Sequence, residues 1–189
     1  MFLNPRMNLF KFEFTKNFMP MDIRNKYYKY LNHVIGSPIS EPLDYINYGI
    51  QGINLPGLSY DPVEQIGEYG RIRKHRSSIH DQEMYAKEMT VTFRMMDGFI
   101  NYWIMVDILR YYYDYYGESK ETRYIPDQQL EIIDGDGHVI TSVDLRRVLY
   151  TNISDLNLNF SSNNPEFNTF DVTLVYNELE IKQLFDSAV

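Results

Sequence analysis

One stretch of the sequence has the residue types of a calcium loop. DGDG, residues 134–137, combines the aspartates and glycines that calcium-binding loops use. An EF-hand loop needs oxygen ligands at positions 1, 3 and 5, glycine at position 6 and glutamate at position 12. Counted from Asp134, position 5 is His138, position 6 is Val139 and position 12 is Leu145, so the pattern fails. A hairpin turn is favoured instead, because Gly and Asp tolerate positive φ angles.

The histidines are the other side chains that could ligate a metal. They are His33, His75, His80 and His138. His75 and His80 are five residues apart and precede Asp81 and Glu83, which allows a site with two histidines and a carboxylate. The segment is basic, however, and lacks a third ligand at a suitable spacing, so a solvated surface is the better interpretation. Because the chain has no cysteine, thiolate zinc sites and disulfides are excluded.

Short catalytic motifs are absent from the sequence. None of GxSxG, HExxH, a P-loop or GxGxxG occurs. The glycines of GIQGINLPG, residues 49–57, are followed by neither a predicted helix nor a basic residue that could bind a phosphate. We therefore predict no catalytic residue, no cofactor and no metal. An enzyme whose site is assembled from distant residues stays open as a minor alternative.

A basic cluster lies in the middle of this otherwise acidic chain. Its cations are Arg71, Arg73, Lys74 and Arg76. Nucleic-acid binding would require a broad basic face or aromatic stacking residues around the cluster, and the sequence shows neither. The net charge of −8 also disfavours binding to phosphates. The cluster is interpreted as a charged loop that pairs with an acidic surface, which another copy of the protein could supply.

The composition is that of a folded acidic protein rich in tyrosine. The chain has 189 residues, enough for one domain with a sizeable core. Tyrosine occurs 17 times and suits both protein interfaces and cores, so both interpretations stay open. The opening MFLNPRMNLF lacks the pattern of a signal peptide, and we expect none. No run approaches the ~18 apolar residues of a membrane span, so we expect no membrane partner.

Alternation of apolar and polar residues predicts a chain made mostly of strands. NLFKFEFT, KEMTVTFRM and QLEIIDGDGHVITSVDL alternate with period two, and the last is predicted to form a hairpin. DLNLNFSSNNPEFNTFDVTLVYN, residues 155–177, predicts a second hairpin of half-buried strands. Its predicted core residues are Leu156, Leu158, Phe160, Phe170, Val172 and Leu174.

The apolar residues follow the period of an α-helix over one long stretch of the sequence. Residues 97–117 are bounded by Asp97 as a candidate N-cap and Gly117 as a candidate C-terminal glycine. The polar stripe is narrow, so this helix is expected to pack on a sheet and on a second surface. Residues 20–36 fit either a short helix or an irregular connector, and the proline- and glycine-rich residues 36–62 disfavour long helices.

These elements predict a mainly β fold. The expected architecture is an antiparallel β-sandwich or barrel with one long flanking α-helix at about residues 97–117. Residues 1–189 are predicted to form a single domain. An irregular insertion is expected around 20–62 and a mid-chain loop around 63–88.

Four segments, in order, resemble segments of the tail tube proteins of contractile-tailed bacteriophages. They are MNLFKFEF, GINLPGL, RIRKHRSSIHDQEMYAKEMTVTF and DLNLNFSSNNPEFNTFDVTLVYN. Together they span most of the chain, and the last is the most similar. A baseplate or tube-end relative that shares the tube fold is the alternative within the same class.

The resemblance implies a structural protein of the virion tail, made in the host cytoplasm. Such subunits form homohexameric rings that stack into a hollow tube, through which genomic DNA passes without specific binding. Sheath, baseplate and tape-measure proteins are the implied partners. Arg71, Arg73, Lys74 and Arg76 would then be inter-subunit contacts. An acidic, monomeric protein-binding module is the alternative of another class, and the oligomeric state separates the two.

Overall fold

The structure is a computed structural model that describes residues 9–34, 41–55, 57, 63–65, 75–77, 88–113, 124–156 and 168–183. The helices are α1 (Met21–Val34), α2 (Pro42–Tyr48) and α3 (Ile100–Tyr113). The strands are β1 (Phe10–Phe12), β2 (Ile50–Asn54), β3 (Val63–Gln65), β4 (His75–Ser77), β5 (Glu88–Arg94), β6 (Gln128–Ile133), β7 (Val139–Arg146), β8 (Leu149–Ile153), β9 (Thr169–Val175) and β10 (Glu178–Gln183). Two 3-10 turns lie at Lys16–Phe18 and Asp97–Phe99.

The strands form two antiparallel four-stranded sheets and one separate hairpin. Sheet A has the order β1-β6-β7-β10, and sheet B has the order β2-β5-β9-β8. Strands β3 and β4 pair with each other in the hairpin. The predicted mainly β, antiparallel class is confirmed, and the two sheets are not closed into a barrel.

The inner faces of the sheets follow the period-two pattern of the sequence. Along β5, the side chains of Met89, Val91 and Phe93 are fully buried, while Thr90 and Thr92 alternate with them on the outer face. In the neighbouring strand, Val172 of β9 stands opposite Val91, and Phe170 stands opposite Phe93. Both sheets contribute their inner side chains to one hydrophobic core, which the helices also cover. Burial of this shared apolar surface is the main force that holds the layers together.

Stacked phenylalanines connect sheet A to sheet B. The ring centroids of Phe14 and Phe18 are 4.1 Å apart, and those of Phe93 and Phe170 are 5.0 Å apart. Phe14 also lies parallel to Phe93 at 6.2 Å. Offset or edge-on aromatic pairs at such distances add to the stabilisation that burial alone provides.

Three helices are present where the sequence predicts one long helix. Of the two interpretations of residues 20–36, the helix is the one observed, because α1 spans Met21–Val34. Helix α2 begins at Pro42, whose fixed φ angle suits the first turn of a helix. Together with β2, these helices are the regular elements among the described residues of 20–62, the segment for which the sequence predicts an irregular insertion.

The long helix starts later than the sequence predicts. Gly98 has a φ angle of +69°, so the chain makes a 3-10 turn there and the α-helix begins at Ile100. The buried Asn101 then fastens the helix start to the end of β5. Its Nδ2 donates to the carbonyl of Arg94 at 2.6 Å, and its Oδ1 accepts from the N–H of Met96 at 3.1 Å. The predicted end at Gly117 lies outside the described residues.

Replacing Asn101 with Ala is expected to lower the free energy of unfolding by about 2 kcal/mol, because two backbone groups lose their partners at a buried position. Urea denaturation of both proteins measures the change. Asn152→Ala, on the exposed outer side of β8, is the matched control and should change stability by less than about 0.5 kcal/mol. Equal stability of the Asn101→Ala variant and the wild type would show that water replaces the side chain without loss.

Candidate interaction surfaces

The DGDG segment forms the predicted hairpin turn between β6 and β7. Asp134 Oδ1 accepts hydrogen bonds from the N–H groups of Asp136 (2.9 Å) and His138 (2.8 Å), and Gly137 has a φ angle of +89°. These backbone bonds, above all that from His138, lower the pKa of the Asp134 carboxyl group. The carboxylate therefore organises the turn through its own backbone.

The other residues that could ligate a metal are spread over the fold. His33 lies in α1 and His75 in β4, while His80 lies outside the described residues. Among the described residues, no group of three or more His, Asp or Glu side chains is placed to hold a metal ion. The same part of the chain contains no helix with the length and apolar character needed to cross a bilayer.

Most of the basic cluster lies outside the described residues. This applies to Arg71, Arg73 and Lys74. Arg76 lies in β4, where its backbone stands opposite Glu64 of β3. A two-stranded ribbon is marginally stable on its own in water, so a further contact is needed to stabilise it. The role of the cluster in subunit contacts stays a prediction.

Four of the six predicted core residues of the C-terminal hairpin lie within the described residues. Phe170, Val172 and Leu174 of β9 are buried. Leu156 follows β8 and packs half-buried against the core. The remaining two, Leu158 and Phe160, lie outside the described residues. The strand that pairs with β9 on this side is β8, Leu149–Ile153, which lies upstream of the DLNLNF segment.

The outer face of sheet A is polar and carries alternating charges. Arg146 of β7 donates to Glu180 of β10 at 2.8 Å, and Lys182 of β10 donates to Asp144 of β7 at 2.6 Å. The bond from Lys182 is the main cause of the lowered pKa of Asp144. Exposed ion pairs of this kind add little stability, but they keep the sheet surface hydrophilic.

Helices α1 and α3 meet at a partly buried carboxylate, Asp107. Asp107 Oδ2 accepts hydrogen bonds from Lys26 Nζ at 2.6 Å and from the Tyr27 hydroxyl at 2.7 Å. Partial burial acts to raise the pKa of Asp107, but the hydrogen bonds from Lys26 and Tyr27 outweigh it and the pKa is lowered. Burial, reinforced by the bond to Asp107, raises the pKa of the Tyr27 phenol.

Acidification is expected to weaken this contact between the helices. A carboxyl group with a lowered folded-state pKa stabilises the fold above its unfolded pKa, and the stabilisation is lost as the pH falls through the folded pKa. We therefore expect Asp107→Asn to show a smaller loss of stability than the wild type between about pH 5 and about pH 2. Urea denaturation across this range measures it, with Asp136→Asn on the exposed turn as control. An unchanged pH dependence in Asp107→Asn would contradict the assignment.

A row of exposed aromatic and basic side chains lies beside that contact. Trp103, Asp107 and Arg110 follow the i, i+4, i+7 spacing of one helical face on α3, and Tyr111 adjoins them. On α1, Lys26, Lys29 and Tyr30 occupy neighbouring positions. Trp103 and Tyr30 are each 49% exposed. We call the set the helical face, and its members are Lys26, Lys29, Tyr30, Trp103, Arg110 and Tyr111.

A second surface lies where the outer strands of the two sheets approach each other. An open groove of about 610 Å³ is lined by β1 of sheet A, β2 of sheet B and helix α2. The side chain of Asn47 holds this corner together, because its Oδ1 accepts a hydrogen bond from the backbone N–H of Phe14 at 2.9 Å. We call it the edge groove, and its principal residues are Phe10, Phe12, Glu13, Asp44, Tyr48 and Ile50.

Neither surface is predicted from the sequence. The helical face is composed of residues that alternate with buried ones on two helices, so only their joint packing reveals it. The edge groove depends on β1 and β2 being outer strands, and that follows from pairings between distant parts of the chain. The signal available in the sequence was the number of tyrosines, which could not be divided between core and surface.

No protein-family model matches the chain, and no curated protein matches it. Among solved structures, a chain of the PVC sheath–tube complex, an extracellular contractile injection system in its extended state, is similar to 71% of this chain. The match covers 81% of that chain, with 11% identity and a TM-score of 0.46. A chain of the anti-feeding prophage tube-terminating cap matches 71% of this chain over 80% of its own length (12% identity, TM-score 0.46). Hcp1 from Flavobacterium johnsoniae matches 71% of this chain over 85% of its own length (11% identity, TM-score 0.36).

Proposed function

We propose that the chain is a structural subunit of a tail tube, forming hexameric rings that stack into a hollow channel. The single observation that carries the proposal is the pair of four-stranded antiparallel sheets, of which one presents a charged, water-compatible outer face. The four segments that resemble phage tail tube proteins contain β1 of sheet A and, in sheet B, part of β2 together with β5 and β9. A non-enzymatic, assembling protein of the virion tail is the function that fits both.

The outer face of sheet A is suited to line an aqueous channel. Along β7 and β10 it carries the carboxylates Asp144, Glu178 and Glu180 against the cations Arg146 and Lys182. Paired charges hold the surface hydrated, and the small excess of carboxylates repels the phosphates of passing DNA. In this arrangement the helices lie on the far side of the core from the channel.

Ring formation also explains how the outer strands are protected. In the described topology β1 and β10 are the outer strands of sheet A, and β2 and β8 are those of sheet B. Uncovered outer strands invite uncontrolled pairing with other chains, whereas a closed ring covers each of them with a neighbour. Sheath, baseplate and tape-measure proteins are the further partners of such a tube.

A baseplate or tail-end ring is the alternative, and α1 and α2 favour it. These helices form an additional layer within residues 20–50, a segment longer than the tube resemblance requires. A terminal ring would use that layer to contact a non-identical neighbour.

Negative-stain electron microscopy with native mass spectrometry tests the proposal. Six-fold rings or hollow tubes are expected from the purified protein, with the ring mass as the check. A protein that stays monomeric as its concentration is raised would contradict the ring and favour the acidic binding module.

The basic cluster provides a second test, because it is proposed to join one ring to the next. Replacing Arg71, Arg73, Lys74 and Arg76 with Glu is expected to abolish stacking while single rings and the melting temperature are retained. Tube length in electron micrographs measures the effect. The tubes of the matched Gln variant should be intermediate in length between those of the wild type and those of the Glu variant. Tubes of unchanged length in the Glu variant would contradict the inter-ring role.

A further inference from the structure

The helical face combines exposed aromatic rings with exposed cations. Trp103 and Tyr111 are 49% and 42% exposed, although large aromatic side chains usually lose contact with water in a folded protein. Lys26 is held by Asp107, whereas Lys29 and Arg110 lie exposed. Asp22 lines the same surface as Arg110, so the two exposed cations face one further carboxylate and the balance is positive. Tryptophan, tyrosine and arginine are the residues that most often dominate binding energy at protein interfaces.

The edge groove has the opposite character. Its wall is mixed: the half-buried apolar side chains of Phe10 and Ile50 lie beside the exposed carboxylates of Glu13 and Asp44. Lys11 also lines the groove and offsets one of these two carboxylates. The carboxylates therefore leave the groove with a negative balance.

The backbone of the groove is also open to a partner. Strand β1 pairs with β6, and β2 pairs with β5, each on one side only within the described topology. Tyr48, at the end of α2, is 75% exposed beside the groove. An incoming surface with aromatic rings and cations would bury the apolar side chains of the groove, cover Tyr48 and meet the two carboxylates.

We propose that the helical face of one copy docks into the edge groove of the next copy around the ring. This inference rests on the proposed function and specifies which surfaces of the subunit meet. The occupant is a second copy because one chain carries both complementary surfaces: one has a positive balance and aromatic rings, and the other has a negative balance beside apolar side chains. A contact between two different patches is head-to-tail, and repetition of it closes a ring.

Charge reversal on each surface separately tests the pairing. One variant carries Lys29→Glu and Arg110→Glu on the helical face, and the other carries Glu13→Lys and Asp44→Lys in the edge groove. Each alone brings like charges together at every contact, so self-association should weaken by at least about tenfold. Asp136→Arg, on the exposed β6–β7 turn outside both surfaces, is the control and should associate as the wild type does.

Mixing the two variants distinguishes this contact from any other. In an alternating ring, the acidic face of one variant meets the basic groove of the other, and the remaining contacts are those of the wild type. We therefore expect the equimolar mixture to recover rings, measured by sedimentation velocity and native mass, while each variant alone stays dissociated. Circular dichroism and thermal melting establish that both variants are folded.

The outcomes separate this inference from the proposed function. A wild-type protein that never self-associates overturns the ring itself. A wild type that forms rings, with variants that form them equally well, overturns the face–groove contact while the ring stands. If the variants dissociate and mixing does not restore rings, the edge groove is not the surface that the helical face contacts. A non-identical partner at the helical face is then favoured.

The aromatic part of the contact has its own test. Trp103→Ala should weaken self-association by about tenfold without loss of stability, because truncating a central aromatic anchor commonly has this effect. Tyr28→Ala is the matched control, since Tyr28 is similarly exposed at 45% but is not a member of the helical face. Equal losses in the two variants would overturn the assignment of Trp103 to the contact.

Discussion

Replacing Val172 with Asp is expected to prevent the subunit from folding. Val172 is fully buried in β9, an inner strand of sheet B, between Val91 of β5 and Ile153 of β8. A carboxylate at this position has no partner, and burying an unpaired ionised group costs several kcal/mol or forces its protonation. Since whole domains are stable by only about 5–15 kcal/mol, the native state is lost. Soluble yield, near-ultraviolet circular dichroism and thermal melting measure the result.

The control for this experiment lies on the same strand. Thr169 is exposed at the start of β9, so Thr169→Asp introduces the same carboxylate without burying it. We expect that variant to fold and to melt within a few degrees of the wild type. If Val172→Asp is soluble and melts cooperatively at the wild-type temperature, the inner face of β9 has been assigned to the wrong side of the sheet.

The faces of the strands could be predicted from sequence because they depend on local alternation. In β5 and β9 every second side chain is apolar, and the structure buries those side chains and leaves the threonines outside. A shift of the strand register by one residue would expose all of these apolar side chains, so the register that buries them is strongly favoured. The turn at Asp134 was predictable for a similar reason, since its hydrogen bonds lie within five residues.

Helix boundaries and short helices were not predictable to the same degree. Helix α2 has seven residues, too few to establish a period of 3.6, and it begins at Pro42 within the proline- and glycine-rich stretch that disfavours only long helices. The start of α3 depends on the left-handed conformation of Gly98 and on Asn101 reaching back to Arg94. A local propensity does not encode such a contact with a preceding strand.

The pairing of strands and the candidate surfaces required the structure. Sheet A joins β1 to β6, and sheet B joins β2 to β5 and β5 to β9, across long separations in sequence. These pairings decide which strands are outer strands and hence where the edge groove lies. They also decide which tyrosines are buried and which are exposed. Tyr150 is buried and its hydroxyl donates to the carbonyl of Met105, whereas Tyr48 is largely exposed.

Replacing Phe14 with Ala is expected to lower the free energy of unfolding by about 3–5 kcal/mol, the range found for truncation of buried aromatic side chains. Phe14 is only 2% exposed, stacks on Phe18 at 4.1 Å and contacts Phe12 edge-on at 5.2 Å. It lies where the chain leaves β1, and its backbone is held by Asn47 of α2. The cavity therefore opens between sheet A, sheet B and α2, where three elements would have to move to fill it.

Two matched variants separate volume from ring stacking at this position. Phe14→Leu keeps most of the volume but removes the stacked ring, so it should cost less than Phe14→Ala by about 2 kcal/mol or more. Tyr48→Ala removes a ring that is 75% exposed and should change stability by less than about 0.5 kcal/mol. Urea denaturation gives all three values on one scale. If Phe14→Ala cost no more than Tyr48→Ala, the phenylalanine stack would not be what joins the two sheets, and the corner that forms the edge groove would owe its position to the Asn47 hydrogen bonds alone.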